Sequence, residues 1–242
     1  GSKELLLTSQ DNGAFGADSD SSLESLLTEL SHLEGDFRLR VGMLNPMLVA
    51  GRSEQMARAW ADNRTYKFMH LPIQSGSQKM LDAMLRDHTL DHFWEVVDTF
   101  RSHYPEMMIT TDIITGFPGE TDEDHQATID LLRRLLPDLV NITRFSPRTG
   151  TPAAKYKRLN GKIVKNRSKE LTTLRQELGA KSFKRFVGRK TSVLSIENQR
   201  PGSTLCRDDN YRPIIVKEEL PLGEFYDVEI VDSEYAFLTA VL

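Results

Sequence analysis

The chain has 242 residues, 39% of them apolar and 27% charged, with a formal net charge of −4, an ordinary balance for a soluble globular protein large enough for one large core or a large and a small one. No apolar run reaches membrane-spanning length and the N-terminus lacks a basic-then-apolar leader pattern, so a cytoplasmic location is expected. A single cysteine, Cys206, and six histidines without HExxH-like spacing rule out a disulfide framework and give no ligand set for a metal or an iron–sulfur cluster.

Five strand–helix pairs follow in chain order. A strand at 3–9 precedes a helix at 21–33, and a strand at 37–43 precedes a helix at 53–61. The strand at 66–73 precedes two helical stretches, 77–86 and 90–104. The β-branched run at 107–115 precedes a helix at 122–136, and a strand at 139–146 leads through a loop into a long helix at about 162–186. This alternation predicts right-handed βα units on a parallel sheet, with ligands at the carboxyl ends of the strands. Those ends read "SQDNGAFG", "LNPM", "QSGS", "TGFPGE" and "SPRTGT", all polar or turn-rich, whereas the opposite edge has ordinary connections. In "TGFPGE" two glycines and a proline expose backbone, and Thr121 followed by Asp122, Glu123 and Asp124 supplies an N-cap with acids on the helix dipole.

Beyond Gly188, short apolar runs separated by Pro, Gly and Asn-Asp turns predict a small antiparallel β-barrel of about 55 residues. The expected division is a βα domain at 1–186, ending in a basic helix, and a β-domain at 187–242. Charge is distributed unevenly. Between Thr143 and Lys190 lie fifteen Lys/Arg against Glu170 and Glu177, on a chain otherwise rich in acid. A basic seam on an acidic protein suggests local capture of a polyanion, although a lysine-rich helix is also an ordinary solvated face.

The motifs "TSQDNGAFG", "RLRVGMLNP", "HLPIQSGSQKMLDAMLRD", "TTDIITGFPGETDEDHQAT" and "NITRFSPRTGTPAA" resemble, in order and spacing, the radical S-adenosylmethionine (SAM) methylthiotransferases. The resemblance covers about residues 3–155. It implies a partial radical-SAM (βα) barrel whose first strand unit is missing, and the C-terminal β-domain looks like the RNA-binding TRAM domain of that family. The combination is most similar to the archaeal and eukaryotic branch, which adds a methylthio group to N6-threonylcarbamoyladenosine beside the tRNA anticodon. Sister branches act on isopentenyladenosine in tRNA or on a ribosomal protein. The family's CxxxCxxC cluster loop is absent, so the resemblance implies the C-terminal portion of a longer enzyme, inactive alone, with iron–sulfur clusters held by a missing N-terminal portion. A non-catalytic RNA-binding protein on the same scaffold is the alternative. A raw sheet edge is expected where the first unit is lacking.

The resemblance also implies site roles. Ser9 and Gln10, with Asp11, would receive the methionyl amine, and Gln74 and Ser75 the ribose and carboxylate. Arg86 would bind the carboxylate or form an ion pair with Asp82 or Asp112. Asn45 would complete the rim, or simply cap an Asn-Pro turn. Gly116 and Phe117 would approach the adenine, with Glu120 bracing the turn and Phe145 forming a second wall or core packing. Asp112, mid-strand, needs a partner such as an arginine. For tRNA, Arg148, Lys155, Lys157 and Arg158 would guide the anticodon loop to the cofactor, and Lys181, Lys184, Arg185, Arg189 and Lys190 would track phosphates. Tyr211 and Tyr226 are candidate stacking platforms in the barrel.

Overall fold

The computed structural model describes residues 1–242, except the side chains of residues 199 and 200. Five strands alternate with helices: β1 (Glu4–Leu7), β2 (Arg38–Val41), β3 (Phe68–His70), β4 (Met108–Thr115) and β5 (Leu139–Arg144). β1 pairs in parallel with β2, and β4 lies between β3 and β5, again parallel. β2 and β3 are neighbours without a ladder, linked by the parallel bridge Leu39↔Thr65 and by Leu44 N–H donating to His70 O at 2.9 Å. Between those two links Phe68 N–H is used within β3's own approach, donating to Tyr66 O at 2.8 Å, and Lys67 N–H donates to Asp209 O at 2.8 Å, on a loop of the β-barrel. The five strands thus run side by side in one direction. All five match the expected segments, and each is shorter than its apolar run.

The helices are α1 (Leu23–Ser31), α2 (Pro46–Val49), α3 (Ser53–Ala59), α4 (Gln78–Ala83), α5 (Leu90–His103), α6 (Asp122–Leu135) and α7 (Gly161–Lys184). The short α2 was not foreseen: Asn45 caps it, its Oδ1 accepting from Met47 N–H at 3.1 Å, with Pro46 at the first helical position. One face of the sheet packs against the helices through Leu39, Val41, Met69, Ile109, Ile113 and Val140, with Leu27, Phe93, Phe100, Leu132 and Leu171 opposite. The alternate positions carry a polar layer in which Arg40, His70, Asp112 and Asn141 come from four successive strands.

Helix α7 spans 24 residues, about 36 Å at 1.5 Å per residue, and runs the height of the sheet. Near its start Arg167 binds Glu120 and Asp122 after β4; near its end Ser182 Oγ donates to Asp138 Oδ1 at 2.5 Å before β5. Gly179 is required by a close approach, since a Cβ there would lie 2.1 Å from Tyr235 O.

The C-terminal strands β6 (Lys190–Arg200), β7 (Ser203–Arg207), β8 (Pro213–Val216), β9 (Phe225–Ser233) and β10 (Leu238–Val241) close a barrel in the order β10-β8-β7-β6-β9. β7 carries no apolar run of the kind that marks the other strands: its Ser-Thr-Leu-Cys-Arg segment follows the Pro201-Gly202 turn. The barrel is not wholly antiparallel: β8 and β10 pair in parallel. An odd number of alternating strands closed on itself must bring two like-directed neighbours together. Barrel residues Val193, Cys206, Ile214 and Val228 share a core with Phe183 and Phe186 around the end of α7 and with Tyr66, Phe68 and Met108 at the strand starts. The barrel therefore sits at the base of the parallel sheet, away from the carboxyl-terminal rim. Buried Arg212 fixes the junction: it pairs with Asp208 at 3.0 Å, stacks 4.0 Å from the Phe186 ring and donates to Glu106 O.

Candidate functional site

The rim is built by loops that tie one another down. Asp11 Oδ1, after β1, accepts from Gly13 N–H at 2.9 Å and from Asn45 N–H after β2 at 3.2 Å. After β4, Thr121 and Asp124 form the expected capping box on α6. Asp124 also accepts from Ser77 Oγ and Lys79 Nζ, both at 2.7 Å, which joins the turn after β3 to the turn after β4. Burial alone would raise the Asp124 pKa; bonds from Lys79, the Thr121 amide and Ser77 outweigh it and hold the carboxyl well below its usual range.

The "TGFPGE" turn bends at Gly116 and Gly119, with φ of 79° and 84°. Gly116 N–H donates to Glu120 Oε2 at 3.0 Å, and Arg167 Nη1 donates to the same oxygen at 2.6 Å. Glu120 thus braces the turn from a buried position. Phe117 projects from it, and its ring meets Phe145 edge-on at 4.8 Å and Tyr156 at 6.4 Å.

Those rings wall a cavity of about 470 Å³ at the ends of β4 and β5, also lined by Arg86 after α4, by Arg144 at the end of β5 and by Arg148 after it. Of the residues expected at the cofactor, Arg86, Phe117 and Phe145 meet there, joined by Arg148 from the set expected at RNA. Arg144 and Tyr156 line it too and are not among the expected residues; Arg144 lies within the basic stretch and the last quoted motif, whereas Tyr156 lies outside any motif and carries no sequence signal. Ser9 lines a second cavity of about 520 Å³ beside β1, with Asp11, Asn12 and Phe15. Gln10 is exposed and lines neither.

Several of the expected residues are held by local contacts. Ser75 is buried and its Oγ accepts from Ser77 N–H at 3.2 Å, a turn-making role. Gln74 adopts a left-handed backbone, φ 71°, pinned to β4 by Gln74 N–H to Asp112 O at 2.8 Å and Ile114 N–H to Gln74 O at 2.9 Å. Asp112 is partnered not by arginine but by His70 Nε2 at 3.1 Å and Asn141 Nδ2 at 2.8 Å. Burial pushes its pKa up, and the His70 and Asn141 bonds more than offset this, leaving it below 3.8. Arg86 makes no ion pair among the described residues; Asp82 is instead bonded to Gln78.

The basic residues separate along α7. Arg148, Lys155, Lys157 and Arg158 lie at the rim end, while Lys181, Lys184, Arg185, Arg189 and Lys190 lie at the base. Two of the latter are engaged in structure: Arg185 is 3.9 Å from Asp138, and Arg189 is 2.8 Å from Glu106. Tyr211 packs against Tyr66 and Phe68 at 4.9 and 5.0 Å, and the Tyr226 hydroxyl donates to Glu224 at 3.0 Å.

Residues 11–132 match the Radical SAM superfamily model. The chain belongs to this superfamily. Over its full length this radical SAM chain is 42% identical to the probable threonylcarbamoyladenosine tRNA methylthiotransferase of Archaeoglobus fulgidus, of which it spans 57%. Over 97% of its length it is 35% identical to the threonylcarbamoyladenosine tRNA methylthiotransferase of Homo sapiens, of which it spans 41%. The chain thus covers about half the length of such relatives. Among solved structures, Escherichia coli coproporphyrinogen III oxidase, a radical SAM enzyme, shares the fold with a TM-score of 0.56 and 16% identity, covering 73% of this chain and 41% of that one. The superfamily implies S-adenosylmethionine and a 4Fe-4S cluster. Ring walls beside an unpaired guanidinium suit an adenosyl group carrying a carboxylate. The residues present do not suit a cluster: Cys206 is buried in the barrel, and no group of three or more His, Cys, Asp or Glu among the described residues could hold a metal.

Proposed function

We propose that this chain is the cofactor- and RNA-binding portion of a tRNA methylthiotransferase that converts N6-threonylcarbamoyladenosine beside the anticodon to its 2-methylthio form. Similarity to relatives bearing that name supports the substrate. The observation that carries the site is the gathering of Arg86, Phe117 and Phe145 around one cavity at the strand ends. In this reading Phe117 and Phe145 hold the adenine of S-adenosylmethionine, with Gly116 leaving backbone room and Glu120 bracing the turn. Arg86 takes the cofactor's carboxylate, and the ammonium, on the same carbon, stands beside it, which leaves Ser9 and Gln10, at and near a separate cavity, out of this reading. Gln74 faces the ribose. When bound, the cofactor supplies the methyl group and the radical chemistry; these residues orient it and shield it from water. Cluster ligands lie outside this set, so the chain is inactive by itself and acts with a further portion of the enzyme.

Residues 1–186 form the cofactor-binding unit and 187–242 a TRAM-like RNA-binding barrel, working in the cytoplasm. The unpaired rim cations Arg148, Lys155, Lys157 and Arg158 receive the anticodon loop, while exposed Lys181, Lys184 and Lys190, with Arg185 and Arg189 beside them, track phosphates towards the barrel. Nucleoside mass spectrometry of tRNA from cells lacking the gene tests the reaction: the 2-methylthio form disappears and its unthiolated precursor accumulates. Persistence of the 2-methylthio nucleoside in the deletion strain contradicts it.

A further inference from the structure

Most arginine side chains in this molecule are partnered. Arg52, Arg64, Arg167, Arg189 and Arg212 form ion pairs of 2.6–3.0 Å, and Arg134 stacks 3.7 Å from the Trp94 ring. Arg86, Arg144, Arg148 and Arg158 are different. Among the described residues their side chains have no ion pair, hydrogen bond or ring contact, and all of them line two adjoining cavities that share Arg144 and Phe145 as a common wall. No carboxylate lines either cavity. Unpaired guanidiniums converging on a space without acid create a positive field, which favours an anionic ligand. Their planar forks match a carboxylate bidentately, whereas the lysines, Lys155 and Lys157 outside the cavities and Lys165 on the wall of the second, act on phosphates as point charges.

Two kinds of ring wall are present. Phe117 is buried, but Tyr156 at the outer lip is 45% exposed, on the same segment as Arg148. The inner wall goes to the cofactor, with Arg86, and Arg158 lies in the adjoining cavity, so Tyr156, Arg144 and Arg148 are the groups left in this cavity to meet the anticodon loop. We propose that Arg144 and Arg148 form a specificity subsite for the carboxylate on the N6 substituent of the substrate adenosine, whose base stands against Tyr156. This rests on the proposed function and adds the residues that select among modified adenosines: a carboxylate-bearing substituent is accepted, and a neutral one leaves the guanidiniums unanswered.

The test uses the intact 242-residue chain and three anticodon stem-loop RNAs, differing only in the adenosine beside the anticodon: N6-threonylcarbamoyladenosine, its methyl ester, and plain adenosine. Fluorescence anisotropy is expected to show the acid RNA bound at least about fivefold more tightly than the ester, the effect of one charge-assisted contact. In the double variant Arg144→Gln/Arg148→Gln the ratio falls to one, while Arg58→Gln on α3, remote from the rim, leaves it unchanged. Because the Arg144 and Arg148 side chains make no ion pair, hydrogen bond or ring contact among the described residues, the double variant keeps its melting temperature. Equal binding of acid and ester by the unaltered chain, or a ratio that survives the double variant, overturns the subsite while leaving the RNA reading intact. A ratio abolished by saturating S-adenosylmethionine gives the guanidiniums to the cofactor and also overturns it. Failure to bind any of the three RNAs removes the RNA reading itself and the subsite with it.

Discussion

Arg167 Nη1 lies 2.6 Å from Glu120 Oε2, with both side chains buried and 47 residues apart in sequence. This pair locks the turn that carries Phe117 to the helix that carries the basic residues, so the cavity wall and α7 move as one body. Removing one partner of a buried pair leaves the other charge uncompensated, at a cost of about 3–5 kcal/mol. Arg167→Met is expected to lower stability by an amount in that range in urea denaturation. Adding Glu120→Gln recovers part of the loss, which a double-mutant cycle reads as coupling.

Gly179 tests the second attachment of α7. Its absent Cβ makes room for Tyr235 O of the β9–β10 turn, 2.1 Å from where the atom would stand. Gly179→Ala forces the helix and that turn apart and is expected to cost about 1–3 kcal/mol, although alanine is the better helix former. Thermal denaturation checks the sign: a rise in melting temperature contradicts the close approach.

Acid sensitivity is expected in two windows. His88 is buried, its Nε2 donating to Ile73 O at 3.1 Å, and burial depresses its pKa below 6.5. The unfolded chain takes up that proton first as pH falls, so stability drops below pH 6.5, and His88→Gln flattens this limb. Asp112 has a folded pKa below 3.8, because the His70 and Asn141 bonds exceed the effect of burial. Its contribution is present above pH 3.8 and lost as pH falls through the lower folded value. Asn141→Ala shortens that second window. Denaturant midpoints across pH 3–8 measure both.

Cys206 faces the barrel core, and burial pushes its thiol up to about 11. At pH 8 the native chain is expected to react with a thiol reagent only through opening of the barrel, and quickly once unfolded in urea. Rapid labelling of the native chain contradicts the closed barrel.

Much of this arrangement is legible in the amino-acid order. The β-branched run ending in Gly116 identifies β4, because a strand covered by helices keeps its apolar residues in register and a bare turn must follow. Thr121 and Asp124 announce α6 through local bonds alone. Phe117 could be placed on the rim because βα alternation fixes which strand ends face the same way, whereas Arg86, at the end of a helical stretch, is placed there only by the family resemblance. What sequence does not carry are pairings set by tertiary packing. The partners of Asp112 come from neighbouring strands, and its register against Asn141 depends on where β5 begins. The division of the basic residues into a rim group and a barrel-side group is legible from their places in the chain; how far apart they stand depends on α7 running the height of the sheet. Ser75 reads like a ligand but its hydroxyl is used by its own turn.

The central claim is that cations left unpaired at the rim and along α7 form a face for RNA. Titrating the chain with its tRNA across a series of salt concentrations tests it most directly. Affinity is expected to fall steeply, with a logarithmic slope of about −0.7 to −0.9 per phosphate neutralised. The slope becomes shallower when Lys155, Lys157 and Arg158 are changed together to glutamine. An affinity indifferent to salt, or a slope untouched by those substitutions, contradicts it.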